Sequence, residues 1–155
     1  MKSDSGLHDI VWKLLDSRDV AVLATQGPDY PHACLVAFAA AEDLRHLYFV
    51  TKRSTRKFEN MNHDNRVMLL VDDRSNSEKD FDSATVITGR GKATPVPYDA
   101  AREILPLYLN RHPHLEIFAR HESSVLVKVE IESYAVVTRF QNLTVLEMDP
   151  GVILS

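Results

Sequence analysis

Three apolar stretches lie almost end to end near the start of the chain: DVAVLATQ at 19–26, HACLVAFAAA at 32–41 and HLYFVTK at 46–52. Only a handful of residues, including Gly27, Pro28 and Asp29 in the first gap and Glu42 to Arg45 in the second, separate them. A parallel pair of strands needs a crossover of a dozen or more residues, so neighbours this close pair antiparallel.

The rest of the chain extends the pattern. RVMLLVDD at 66–73 carries five consecutive apolar residues, which predicts a strand covered on both faces, by the core and by a second subunit. SATVITGRGKATPV at 83–96 reads as a long strand with a bulge or a close backbone approach at Gly89 and Gly91. In SSVLVKVEIESYAVVTRFQ, Val125, Val127, Val129 and Ile131 alternate with Lys128, Glu130 and Glu132, the period of a half-buried strand. NLTVLEMD adds an edge strand within a C-terminal tail of residues 143–155.

Helices fall between these strands. Residues 5–17 place Leu7, Ile10, Val11, Leu14 and Leu15 on one stripe, with Ser5 as cap, and Trp12 packs at its edge. TRKFENMN, capped by Ser54 or Thr55, follows the third strand. YDAAREILPLYL at 98–109 is helical in period, with Pro106 ending or kinking it, and HLEIFAR forms a short second helix. Six or seven strands with peripheral helices predict a mainly β fold: one domain over residues 1–155, an antiparallel, Greek-key-like closed or split barrel.

The segment TKRSTRKFEN gathers Lys52, Arg53, Arg56 and Lys57 around Thr51, Ser54 and Thr55 in a chain of net charge −4. Cations in the first turn of a helix are repelled by its dipole unless an anion sits there. Free N–H groups, a Thr hydroxyl, a guanidinium and an ammonium then form a phosphate pocket, with a solvated basic corner as the rival reading. With no GxGxxG or GxxxxGK[ST], the ligand is a monophosphate rather than a dinucleotide or nucleoside triphosphate. Net acidity, and no aromatic residues interleaved with KRSTRK, argue against nucleic acid. No apolar run reaches the ~20 residues of a membrane span, and the first ten residues lack a signal-peptide pattern; the expected location is cytoplasmic.

Cys34, the single cysteine, reads as a small buried residue, and the loop RSNSEKD as solvated. His112, His114 and His121 lack companions at zinc-ligand spacing and read as loop or surface histidines, so no metal is expected. His32 reads as a structural residue at a strand start, with a hydrogen-bonding role toward a bound ring as the rival.

The order PHACLVAF, hairpin, HLYFVTKRSTRKFENMNHDNRVMLLVDD and a Gly-containing strand resembles the pyridoxamine 5'-phosphate oxidase-like FMN-binding split barrels, over roughly residues 8 to 142. The resemblance implies a homodimer with FMN at the subunit interface. On this pattern Thr51 touches phosphate or ribityl chain, Thr55, Arg56 and Lys57 bind phosphate, and Lys52 assists. The backbone of Leu35, Val36 and Ala37 lines the flavin ring. The partner supplies the loop at Arg74 to Asn76 and the strand end at Phe140 and Gln141.

Aligned on Pro31, Cys34 stands where the oxidase has an Arg and Ala39 near its Lys, and LTVLEMDPGVILS lacks the oxidase's substrate-binding Arg and His. The expected function is therefore an FMN-dependent oxidoreductase that passes electrons from a reduced nicotinamide or another small donor to a small acceptor other than pyridoxamine phosphate. No catalytic side chain is expected, because the isoalloxazine ring carries the redox chemistry. The alternative is a non-catalytic flavin or heme binder, heme requiring an axial ligand such as His32 or His121.

Overall fold

The computed structural model describes residues 4–140 and 142–148. Their strands are β1 (Val20–Gln26), β2 (Pro31–Ala40), β3 (His46–Lys52), β4 (Arg66–Asp72), β5 (Thr85–Pro95), β6 (Ser124–Thr138) and β7 (Asn142–Glu147). The helices are α1 (Asp4–Ser17), α2 (Arg56–His63), α3 (Asp80–Ser83), α4 (Tyr98–Arg111) and α5 (Glu116–Arg120), with a 3-10 turn at Pro113–Leu115. The strands lie in the order β3-β2-β1-β4-β5-β6-β7, and β3 also pairs with β6, closing a six-stranded antiparallel barrel. Placing β4 beside β1 after the β1-β2-β3 meander gives the Greek-key connection.

Inward-facing Leu23, Phe38, Phe49, Leu69, Ile87, Val127 and Val129 fill the barrel, and α1 lays Leu7, Val11, Leu14 and Leu15 over its end. Ile10, expected on that stripe, is only half-buried, and because α1 begins at Asp4, Ser5 is a first-turn residue rather than the cap. A smaller core lies outside the barrel, where α4 and α5 cover Ala39, Tyr48, Val50 and Leu126 with Tyr108 and its neighbours.

Within the single chain β4 alternates, with Val67, Leu69 and Val71 inside and Met68 outside at 41% exposure; this outer face is the one a second subunit would cover. Of the two outcomes expected at Pro106, an end or a kink, the helix does not end: α4 runs to Arg111 with Pro106 on its exposed side. RSNSEKD is an exposed loop, as expected, up to Asp80, which opens α3 and whose carboxylate accepts from the N–H groups of Ser75, Asn76 and Ser77. Residues 143–147 of the expected tail belong to β7; its last residues, 149–155, lie outside the described ones.

The β5–β6 ladder is irregular beside the β5 glycines, between Arg90 and Gly91. Arg90 pairs with Ser133 and Gly91 with Ile131, so the extra residue is Glu132, on β6 rather than β5. Side chains therefore change phase: Val125 to Ile131 point inward on odd positions, Tyr134 and Val136 on even ones. A Cβ on Gly91 would collide with the Glu130 carbonyl, so glycine is required for this close approach.

Candidate functional site

β2 and β3 begin as partners and then separate. Phe38, Ala39 and Ala40 pair with Phe49, Tyr48 and Leu47, and there the ladder stops. β3 continues along β6 as far as Lys52 opposite Ser124, while residues 31–37 of β2 follow β1. Extending the register sets Ala37, Val36 and Leu35 across from Val50, Thr51 and Lys52 with no strand pairing between them: the barrel is split at this seam.

Tyr108, 1% exposed, closes the inner end of the split. Its hydroxyl donates to the Ala37 carbonyl at 3.1 Å and accepts from the Val50 N–H, standing in for the missing ladder rung. Burial pushes the hydroxyl's pKa up to about 12, against a smaller lowering by the Val50 N–H. One turn on, the His112 ring nitrogen Nε2 lies 2.7 Å from the Phe38 carbonyl, and the two rings pack at 5.0 Å. His112 is thus a buried structural residue, not a surface one. No signal short of the fold marked Tyr108, apart from a Tyr and a His spaced i, i+4 on a helix otherwise read as peripheral.

Along an antiparallel edge, alternate residues turn their N–H and C=O to the same side. The Phe38 N–H reaches Asp19 on the β1 side, so Ala37 and Leu35 aim theirs into the split. Val36 points inward at 5% exposure and Leu35 outward at 70%, which leaves backbone as the lining that these residues offer.

The mouth is built by β3 and α2. Thr55 caps α2, its Oγ1 accepting from the Phe58 N–H at 3.4 Å and donating to the Lys52 carbonyl at 2.9 Å. Thr51, 2% exposed, buttresses that cap through a 2.8 Å contact between the two hydroxyls. The N–H groups of Arg56 and Lys57, at the first two helical positions, have no acceptor among the described residues.

The cations do not form one patch. Lys57 stands close enough to β2 for its charge to lower the Cys34 thiol, although burial dominates and the net shift is upward. Arg56 lines a cleft of about 660 Å³ with the β1–β2 hairpin, Glu59 and His63. Arg53 turns away, donating to the Glu122 carbonyl at 2.5 Å, and Lys52 is exposed at the strand end. His32 lines the Arg56 cleft, and its Nδ1 is buried without a hydrogen-bond partner.

Asn76 sits at φ 61° in the loop held by Asp80, and no hydrogen bond or ion pair joins it to the Thr51–Lys57 cluster of its own chain. Gln141 lies outside the described residues. Among the described residues, no group of three or more His, Cys, Asp or Glu side chains is placed to hold a metal, and no helix is long and apolar enough to cross a membrane.

A six-stranded barrel opened between β2 and β3 beside a capped helix defines the class of split-barrel proteins. The chain belongs to the pyridoxamine 5'-phosphate oxidase family, whose model matches residues 7–138. Its fold is similar to that of a heme binding protein from Mycobacterium smegmatis, with TM-score 0.81 and 14% identity over 95% of this chain and 59% of that one. It is also similar to the General Stress Protein 26 from Bacillus anthracis, at TM-score 0.69 and 17% identity over 91% and 98% of the two chains. A FAD-binding protein from Mesorhizobium loti gives TM-score 0.65 and 18% identity over 81% and 89%. The chain thus spans about three fifths of the length of the mycobacterial heme binding protein. No curated protein matches its sequence.

Proposed function

We propose that the chain binds FMN, phosphate at the α2 N-terminus and ring along the open edge of β2, and works as a flavin oxidoreductase. The observation that carries the reading is the pair of unclaimed N–H groups at Arg56 and Lys57, beside two cationic side chains and the Thr55 hydroxyl. This donor set fits a phosphate monoester, which carries about −1.5 to −2 at neutral pH. Leu35 and Ala37 supply backbone groups to orient the ring edge, Thr51 holds Thr55 in place, and Lys52 adds charge at the mouth. When bound, the flavin supplies the redox chemistry, accepting a hydride or two electrons from a reduced nicotinamide or another small donor. No side chain is assigned an acid or base role.

We also infer a homodimer with the site at its interface. A row apolar at every position but Thr88 crosses six strands on the outer face, Val145, Ala135, Thr88, Leu70, Val22 and Leu35, each directly opposite the next. It is exposed by 50% at Val145 and 70% at Leu35, and it ends on the lip of the split. A second copy covering this face would bring its own residues to the cofactor; Asn76, Phe140 and Gln141 are the ones assigned to that role.

Sedimentation velocity followed at the flavin's visible absorbance tests both parts. The yellow colour should travel at the mass of two chains and bleach on adding NADH or NADPH. Colour at the mass of one chain overturns the dimer, and colour that stays at the meniscus overturns FMN binding. Retained colour that no reductant bleaches favours a non-catalytic binder. A Soret band on adding hemin, lost in His32→Ala or His121→Ala, would favour the heme reading suggested by the mycobacterial relative.

A further inference from the structure

A second cavity, of about 430 Å³, lies between α4, α5 and the start of β6. That volume falls within the ~300–1,000 Å³ of small-molecule pockets. Its floor is apolar: Val125 and Leu126, 8% and 6% exposed, with Ala101, Leu105 and Ala119 around them. Its rim is cationic, with Arg53, Arg102 and Arg120 against the single carboxylate of Glu122.

Two of these guanidiniums are already engaged. Arg53 donates to the Glu122 carbonyl, and Arg120 pairs with Glu116 at 3.3 Å. Arg102 makes no ion pair or side-chain hydrogen bond among the described residues. Pro106, also on the rim, lies inside α4 and adds an apolar ring to the cavity wall. An apolar trough with one unengaged guanidinium at its edge is a pocket for an apolar body ending in an anion.

We propose that this groove binds a small amphiphilic carboxylate, its chain on Leu105, Val125 and Leu126 and its carboxylate on Arg102. The lining is concave, which suits one molecule rather than a bilayer surface. The site is separate from the flavin reading and does not depend on it.

Decanoate and uncharged decanol are the probes, followed by methyl and amide NMR shifts of the whole chain. Decanoate should shift the methyls of Ala101, Leu105, Ala119, Val125 and Leu126 saturably and bind at least about tenfold more tightly than decanol, the effect of one charge-assisted contact. Arg102→Glu, a change at an exposed position, should abolish that preference while leaving the spectrum of the free protein dispersed. Equal binding of decanoate and decanol, an unchanged preference in Arg102→Glu, or shifts confined to the amides of residues 51–57 each overturn the assignment.

Discussion

Arg56→Ala is expected to weaken FMN roughly 10- to 100-fold while leaving riboflavin nearly unchanged, since one charge-assisted hydrogen bond contributes about 1.5–3 kcal/mol. Riboflavin shares the ring and the ribityl chain but has no phosphate, so the difference isolates the charge at the α2 N-terminus. Without flavin the same substitution should leave the melting temperature unchanged or slightly higher, because a cation at the first helical position opposes the helix dipole when no anion is present. Isothermal titration with both flavins checks the first part and a thermal scan the second. Equal losses for the two flavins would mean that Arg56, which also lines the hairpin cleft, reads something other than phosphate.

Tyr108→Phe is expected to be the most destabilising conservative change at the site. The ring still packs, but the Ala37 carbonyl and the Val50 N–H are left buried without their partner. At about 1–3 kcal/mol for each orphaned group the loss is about 2–6 kcal/mol, or roughly 4–24 °C in melting temperature for a domain of this size. A pH signature accompanies it. The hydroxyl is neutral in the fold with its pKa raised to about 12. Its contribution is therefore whole below the ordinary tyrosine pKa of about 10 and is lost as pH rises through about 12. The phenylalanine variant should lose less stability over that window than the wild type. A residual loss belongs to Tyr134, whose hydroxyl is buried against the Leu44 carbonyl and likewise raised. A variant that melts with the wild type would show that the seam does not depend on this hydroxyl.

The strands were readable because apolar runs and short connections constrain neighbours, and the cap at Thr55 because a hydroxyl residue precedes a helical period. The particular pairing that closes the barrel was not. β3 and β6 pair across more than seventy residues of sequence, and nothing local in either strand marks the other. The bulge was expected at the glycines of β5, yet Glu132 on the facing strand carries the extra residue; the glycines provide the room and the partner uses it.

Lys52 to Lys57 read as one basic cluster along the sequence. A helix advances about 100° per residue, so Arg56 and Lys57 leave α2 on different sides, one to the hairpin cleft and one toward β2. Tyr108 was invisible for a related reason: a buried polar atom on a peripheral helix acquires its meaning only from the strand edges that it meets.

The phosphorus-31 resonance of bound FMN, recorded from pH 5 to 8, tests the anchoring of the phosphate most directly. A free phosphate monoester titrates near pH 6. Held by the α2 N–H groups, Arg56 and Lys57, the ester should stay dianionic and its resonance should not move across that range. A resonance that titrates like the free ester would place the phosphate in open solvent and contradict the assignment of the site.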